Sequence, residues 1–368
     1  MRIAFSGGGT GGHLYPAIAI AQALNGRAEI DFVGTADRLE ASIVPRAGYR
    51  LHTVRSRPFI RKPLAQFART ISANGVGIVQ SLGIIAQLRP DVLIATGGYV
   101  CFPVVVAARV LRTLRLFHGA IALLEPNAQP GLTNRVLAPL VDEVWGAFAF
   151  VDPHFVGRYV HTGTPVRAAL RNLPSREAAL ARLGLQTSRK TLLAMGGSQG
   201  ARSMNDALAA FVGSNGLPED WQLLQVTGES EYERVRDRLG ATHRSAVRPY
   251  LDDMSDAYAA ADLVFARAGA STLAELAALG LPALLAPYPH AAEDHQLRNA
   301  EVLRQAGAAA IISDRELQSG RLADVLADIM QPSRLEALRA SAARLQGRDP
   351  IGAILARIDA LAARKHVR

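Results

Sequence analysis

At 368 residues, 49% of them apolar, the chain is long enough for two or three domains with cores of their own and too apolar for disorder. A single cysteine, Cys101, excludes an intramolecular disulfide and points to a reducing compartment. The formal net charge of +9, nearly all arginine, calls for an anionic partner such as a phosphorylated substrate or an acidic membrane. Nucleic acid is disfavoured, since no helix-turn-helix, zinc-finger or RNA-binding signature occurs.

The first residues do not form a signal peptide. The longest low-charge stretch is read as 276–292, which Gly280 and three prolines interrupt. No bilayer-spanning segment is therefore expected, and the chain reads as soluble or peripheral.

Residues 2–6 are an apolar run, followed by Gly7-Gly8-Gly9-Thr10-Gly11-Gly12-His13. Leu14, Ala17, Ile18, Ala21 and Leu24 then recur at helical spacing. This is a strand, a glycine loop and a helix start, with Pro16 placed in the first turn. Glycines let a backbone approach an anion, and helix-terminal N–H groups bind it. Strands are expected at 29–34, 51–54, 91–96, 120–124 and 143–145. Between Arg55 and Arg69 five basic residues interleave with Phe59, Ile60, Leu64 and Phe67, and no acidic residue occurs between Glu40 and Asp91. That mixture suits an anionic membrane surface.

After a helix-and-linker segment at 171–190, the opening grammar repeats. Residues 191–195 run into Gly196-Gly197-Ser198-Gln199-Gly200, and a helix follows. Further strands are expected at 223–226, 246–247, 263–266, 283–286 and 309–312. Asp349-Pro350 precedes a last helix with Ile351, Ile354, Leu355, Ile358 and Leu361 on one face. Two doubly wound α/β domains with a ligand cleft between them is the expected architecture. Within 266–296, Ser271, Thr272, Glu275, His295 and Gln296 follow strands and could converge on one crevice. Thr272-x-x-Glu275 also reads as a capping box that needs no ligand. His290, Asp294 and His295 fit no standard zinc spacing.

In order and spacing, GGGTGGH (7–13), GTADRLEASIVPRAG (34–48), GGYV (97–100), PNAQPGLTNR (126–135), GTPVR (163–167), GGSQGAR (196–202), DDM (252–254) and the segment 266–300 carry a resemblance across nearly the whole chain. The sequence resembles the MurG family of GT-B glycosyltransferases, family 28, which add N-acetylglucosamine to lipid I in peptidoglycan synthesis. The resemblance implies a GT-B fold of two Rossmann-like domains facing across a cleft. Residues 1–165 would form the acceptor and membrane-associating domain, 166–348 the donor domain, and 349–368 a helix packing back toward the first.

It implies an inverting hexosyltransferase using UDP-N-acetylglucosamine and lipid I. The enzyme would be peripheral on the cytoplasmic face of the bacterial membrane, with cell-wall and division proteins as candidate partners. No cofactor would be required, and stimulation by a divalent cation is left open. Carried over by position, Gly197 and Ser198 meet the pyrophosphate, Leu251 the uracil, and Ala270, Ser271, Thr272, Leu273, Ala274 and Glu275 the phosphate and ribose. Gln296 meets sugar hydroxyls. Thr10, Gly11, Gly12, Asn127 and Arg167 match nucleotide-sugar contacts, and the 7–13 loop also matches the site of the acceptor's pyrophosphate.

His13 and Glu125 are the candidate catalytic bases; the alternative for His13 is a helix-start residue hydrogen-bonding the backbone, and for Glu125 a structural carboxylate holding Asn127 or a backbone turn. Three departures stand out. Leu124-Glu125-Pro126-Asn127 replaces the usual His-Glu-Gln-Asn and bears on acceptor contacts, Thr164 replaces an asparagine, and Ala268 stands where a serine is common. Competing readings are a GT-B enzyme with another lipid acceptor, a nucleotide-sugar epimerase, an idle UDP-sugar-binding scaffold at the membrane, and an NAD-dependent oxidoreductase. The last leaves the second glycine loop unexplained.

Overall fold

The computed structural model describes residues 1–58, 64–148, 152–197, 200–214, 216–239, 244–291, 294–347 and 349–364, with the side chains of 64–67 outside that description. The chain divides into two compact units, Met1–Arg167 with Asp349–Arg368, and Ala168–Arg348. The division thus falls after Arg167 rather than after Pro165.

The first unit holds β1 (Arg2–Ser6), β2 (Glu29–Gly34), β3 (Arg50–Thr53), β4 (Val92–Ala95), β5 (Ala120–Glu125), β6 (Glu143–Gly146) and β7 (Tyr159–His161). They form one seven-stranded parallel sheet in the order β3-β2-β1-β4-β5-β6-β7. The strand order reverses between β1 and β4, so the loops after these two strands open a crevice at the carboxyl edge. Alternation along β1 sends Ile3 and Phe5 to one face and Ala4 to the other. Helix Gly11–Ala23 covers the first face together with Ile351, Ile354, Ile358 and Leu361 of helix Pro350–Ala363. The Asp349 carboxylate caps that last helix through Gly352 N–H at 3.0 Å. Arg27 bonds Asp359 at 2.9 Å, and Arg357 pairs with the buried Glu143. Pro16 lies beyond the first turn of its helix, contrary to the sequence reading, so the Gly12 carbonyl loses its helical partner.

Helix Leu64–Leu88 packs with helix Cys101–Thr113 on the other face. Its burial is inverted over residues 70–81, whereas Leu82, Ile84, Ile85 and Leu88 pack on the core. Thr70, Asn74, Gly77 and Ser81 face inward, while Ile71, Val76 and Val79 face out, Val79 with 69% of its surface exposed. The inner face is polar because it grips an irregular strand of chain. Gln80 accepts the Arg55 N–H at 2.8 Å, Asn74 accepts the Arg57 N–H at 3.1 Å and donates to the Arg57 carbonyl at 3.0 Å. A Cβ on Gly77 would stand 2.0 Å from the Arg55 carbonyl oxygen. The stretch Ala68–Leu88 is long and apolar enough to cross a membrane by length and composition, with 22% of it buried. The sequence reading, which fixed on 276–292, overlooked it.

The second unit holds β8 (Lys190–Met195), β9 (Trp221–Val226), β10 (Ser245–Arg248), β11 (Leu263–Ala266), β12 (Ala283–Leu285) and β13 (Ala309–Ile311). These form a six-stranded parallel sheet in the order β10-β9-β8-β11-β12-β13. The reversal lies between β8 and β11, the strands that precede the second glycine loop and the 267–275 segment. Each unit is therefore a doubly wound α/β domain.

Candidate functional site

In the first unit the site is built at the carboxyl ends of β1, β4 and β5. Thr10 is the extended N-cap of helix Gly11–Ala23, and its side chain does not cap that helix end. The first-turn N–H groups of Gly11 and Gly12 thus have no acceptor within the helix, which is the arrangement that receives an anion. Thr10 is exposed, and Gly11, Gly12 and His13 are half-buried.

His13 reaches across the switch point. Its Nδ1 lies 3.1 Å from the Thr96 carbonyl oxygen, beyond the end of β4. A carbonyl only accepts, so Nδ1 is the donor in this contact. The ring lies against Gly97, whose φ is +102° and where a Cβ would stand 2.5 Å from Nδ1. Gly97 is therefore fixed as glycine twice, by backbone conformation and by the imidazole.

Behind the loop stands Glu40, only 1% exposed. Its carboxylate accepts the Gly9 N–H at 3.0 Å, the Thr35 N–H at 3.0 Å and the Thr35 hydroxyl at 2.7 Å. The sequence reading quoted the motif containing Glu40 without assigning the residue a role.

Glu125 closes β5 and is 2% exposed. One oxygen accepts from the Asn127 backbone at 2.9 Å and the Asn127 amide at 3.1 Å; the other accepts from the Gly131 N–H at 3.3 Å and the Asn134 amide at 2.8 Å. Burial pushes the carboxyl up to about 7, against four N–H donors that pull it down. With both oxygens engaged, its geometry is that of the structural carboxylate holding the 126–131 loop and Asn127. Arg167 lies over the Tyr15 ring, 5.2 Å from its centre, and Tyr15 in turn packs against Gly11. The guanidinium is thereby held near the start of the first helix.

The family departures fall on buried positions. Leu124 is fully buried in the same core as Trp145 and Ile354, Ala268 is buried among Leu273 and Leu276, and the buried Thr164 hydroxyl has no hydrogen-bond partner among the described residues. Position 124 thus bears on packing rather than on a ligand surface.

In the second unit the expected residues gather at the carboxyl ends of β8, β10, β11 and β12. Helix Ala270–Leu279 has Gly269 as N-cap and no side-chain cap. Thr272 therefore lies inside the helix and forms no capping box with Glu275; the helix starts before the residue that would have capped it. The Glu275 carboxylate, 6% exposed, accepts the Tyr258 hydroxyl at 2.6 Å. Tyr258 is a further residue absent from the sequence reading. Ala270, Ser271, Thr272 and Ala274 are half-buried, whereas the Leu273 side chain enters the core and leaves only its backbone for a ligand. Leu251 is half-buried beyond β10. The Gln296 amide oxygen accepts the Tyr288 N–H at 2.9 Å. Gly197 has a φ of +87°, and Ser198 lies outside the described residues.

Arg267 ties these loops together. It donates to the carbonyls of Ala286 at 3.1 Å and Pro287 at 3.3 Å and to the Ser203 hydroxyl at 2.9 Å, pairs with Asp314, and lies over the Tyr288 ring. Among the described residues no three His, Cys, Asp or Glu side chains gather in a metal-binding group.

Each unit thus carries an uncapped helix end at a switch point, a pairing suited to two anionic ligands. The family models for the glycosyltransferase family 28 N-terminal and C-terminal domains match residues 3–145 and 191–351. Similarity extends end to end to curated proteins. A Moorella thermoacetica protein is 40% identical over 358 residues, covering 94% of this chain and 95% of the relative.

The chain belongs to glycosyltransferase family 28.

Both this relative and a Chlorobium limicola protein, 39% identical over 98% of this chain and all of its own length, are named UDP-N-acetylglucosamine--N-acetylmuramyl-(pentapeptide) pyrophosphoryl-undecaprenol N-acetylglucosamine transferase. Among solved structures, Acinetobacter baumannii MurG has the same fold, with a TM-score of 0.76 at 24% identity over 97% of this chain and 99% of that one. The calicheamicin glycosyltransferase CalG4 shares it at a TM-score of 0.66 and 15% identity. The family 28 chain is accordingly a GT-B glycosyltransferase.

Proposed function

We propose that the chain transfers N-acetylglucosamine from UDP-N-acetylglucosamine to the N-acetylmuramyl sugar of lipid I, the undecaprenyl-pyrophosphoryl-N-acetylmuramyl-pentapeptide, in peptidoglycan synthesis. What carries this reading is end-to-end identity of about two residues in five to transferases whose names state that reaction. The site chemistry supports it. In the second unit the uncapped start of helix Ala270–Leu279 and the 196–200 loop receive the UDP diphosphate, and Glu275, held by Tyr258, accepts the ribose hydroxyls. In the first unit the 7–13 loop receives the acceptor's diphosphate.

The acceptor hydroxyl gives its proton to His13 Nε2 as its oxygen bonds the anomeric carbon, and the bond from that carbon to the UDP oxygen breaks. One such displacement inverts the anomeric centre. Negative charge developing on UDP is met by fixed N–H dipoles. Glu125 serves this reaction by shaping the loop that carries Asn127, and Arg167 adds positive charge beside the first helix. No cofactor is required in this reading, and turnover in the presence of a chelator of divalent cations tests that point.

The enzyme works as a peripheral protein on an anionic membrane. The support is the outward face of helix Leu64–Leu88, which exposes Ile71, Val76 and Val79 and is uncharged from Thr70 to Leu88. The basic residues Arg61 and Lys62 that motivate the electrostatic half of the idea lie outside the described residues.

Transfer of labelled N-acetylglucosamine to a short-chain lipid I analogue, with UDP-N-acetylgalactosamine as competitor, tests the reaction. A lipid-linked disaccharide with the galacto donor refused is expected. UDP-N-acetylglucosamine binding without product would favour another acceptor or an idle scaffold.

A further inference from the structure

The geometry points to Glu40 as the positioning residue that sets the 7–13 loop for the acceptor's diphosphate. This rests on the reading that the loop receives that group. The carboxylate is buried, and each of its donors is a neutral group: the Gly9 N–H, the Thr35 N–H and the Thr35 hydroxyl. A core needs no such group, because an apolar side chain would fill the space without the desolvation cost of a carboxylate. What the carboxylate adds is a fixed acceptor for Gly9, whose φ is +81°. Its N–H is thereby turned inward, away from the ligand side.

The loop is packed hard from behind. A Cβ on Gly7 would stand 2.0 Å from the Thr96 hydroxyl, one on Gly8 2.4 Å from the Glu40 carboxyl carbon, and one on Gly98 2.5 Å from the Gly8 carbonyl oxygen. The front is closed at Gly11, where a Cβ would stand 2.9 Å from the Tyr15 ring, and open at Gly12. A Cβ on Gly12 meets nothing nearer than the Thr10 hydroxyl at 3.8 Å. A loop clamped at its back, held at Gly11 by Tyr15 and open at Gly12 presents the N–H groups of Gly11 and Gly12 in one orientation, which is the preorganisation that anion binding uses.

The test is steady-state kinetics of the full chain carrying Glu40→Gln, with lipid I analogue varied at saturating donor. UDP binding by calorimetry, which reads the second unit, serves as the control for folding. The amide nitrogen of glutamine cannot accept from Gly9 or Thr35. We expect the acceptor KM to rise about tenfold or more, as loss of a hydrogen bond to a charged group implies, with UDP affinity unchanged. Thr35→Val removes one bond to Glu40 but leaves the one to Gly9, and is expected to move the acceptor KM in the same direction by less. It carries the test should Glu40→Gln not fold.

An unchanged acceptor KM in a variant that binds UDP normally would overturn the proposal. So would a fall in kcat alone that follows the fraction of folded enzyme, the mark of a merely structural carboxylate. Gly12→Ala separates the two layers. If it raises the acceptor KM and Glu40→Gln does not, the positioning role fails and the loop reading stands. If Gly12→Ala also leaves the KM unmoved, both are wrong.

Discussion

His13 Nδ1 lies 3.1 Å from the Thr96 carbonyl oxygen and donates in this contact, which in the neutral ring leaves Nε2 to take a proton. The imidazole also lies against Gly97, where a Cβ would stand 2.5 Å from the same nitrogen. His13→Ala should lower kcat by about 10²–10⁴-fold, the usual contribution of a general base. Gly97→Ala should lower kcat as well, because its Cβ displaces the ring, and should cost about 1–3 kcal/mol of stability for a side chain at positive φ. Pre-steady-state transfer rates with denaturant unfolding check both. Full kcat in Gly97→Ala would remove His13 from the reaction.

Glu125 should leave a signature in stability against pH. Burial raises its folded pKa to about 7 from an ordinary 4.5. Between those values the folded chain holds a proton that the unfolded chain has released, so stability falls as pH rises through this window and levels off above it. Relative to Glu125→Gln, the wild type should lose on the order of 3 kcal/mol between pH 4.5 and pH 8. Urea unfolding of both proteins across that range measures the difference. A constant gap would mean that the folded pKa is not raised above the ordinary value.

Restoring the family's histidine at position 124 should harm the fold. Leu124 is fully buried beside Trp145 and Ile354, and an imidazole there has no water and must find a partner within the core. Leu124→His should cost about 2–4 kcal/mol and leave the acceptor KM of the remaining folded enzyme unchanged. A lowered KM in urea-matched assays would instead place position 124 on the acceptor.

The outward face of helix Leu64–Leu88 offers a membrane test. Val79 is 69% exposed, so a charge there costs the fold little. Val79→Glu should keep the melting temperature and UDP affinity and weaken sedimentation with anionic vesicles by about tenfold or more, through lost apolar burial and added repulsion. Equal binding of wild type and variant would move the membrane surface elsewhere.

Much of the fold is legible in the sequence because parallel strands are short apolar runs and the turns at both switch points are glycine-rich. What the sequence conceals has physical reasons. The edge strand Tyr159–His161 is half-exposed and has no apolar run to announce it. The inner face of helix Leu64–Leu88 is hard to read because its first half grips the 55–57 backbone with Asn74 and Gly77, while Leu82, Ile84, Ile85 and Leu88 pack on the core only in its second half. The apparent capping box at Thr272 dissolves because helix Ala270–Leu279 begins at Ala270 with Gly269 as its N-cap. Glu40 and Arg267 are illegible for another reason. Their partners Gly9 and Asp314 stand 31 and 47 residues away, and no local pattern encodes such pairs.

The central claim is a division of labour, with the acceptor diphosphate met by the first unit and UDP by the second. It is tested most directly by measuring the acceptor KM and the UDP dissociation constant in Gly12→Ala and in Glu275→Ala. Gly12→Ala should raise the acceptor KM by about tenfold or more and leave UDP affinity alone, since the added Cβ meets open space in the free protein and so obstructs only a bound anion. Glu275→Ala should weaken UDP by about tenfold or more through the lost ribose bonds and leave the acceptor KM alone. A UDP affinity unmoved by Glu275→Ala, or weakened by Gly12→Ala, would contradict the account.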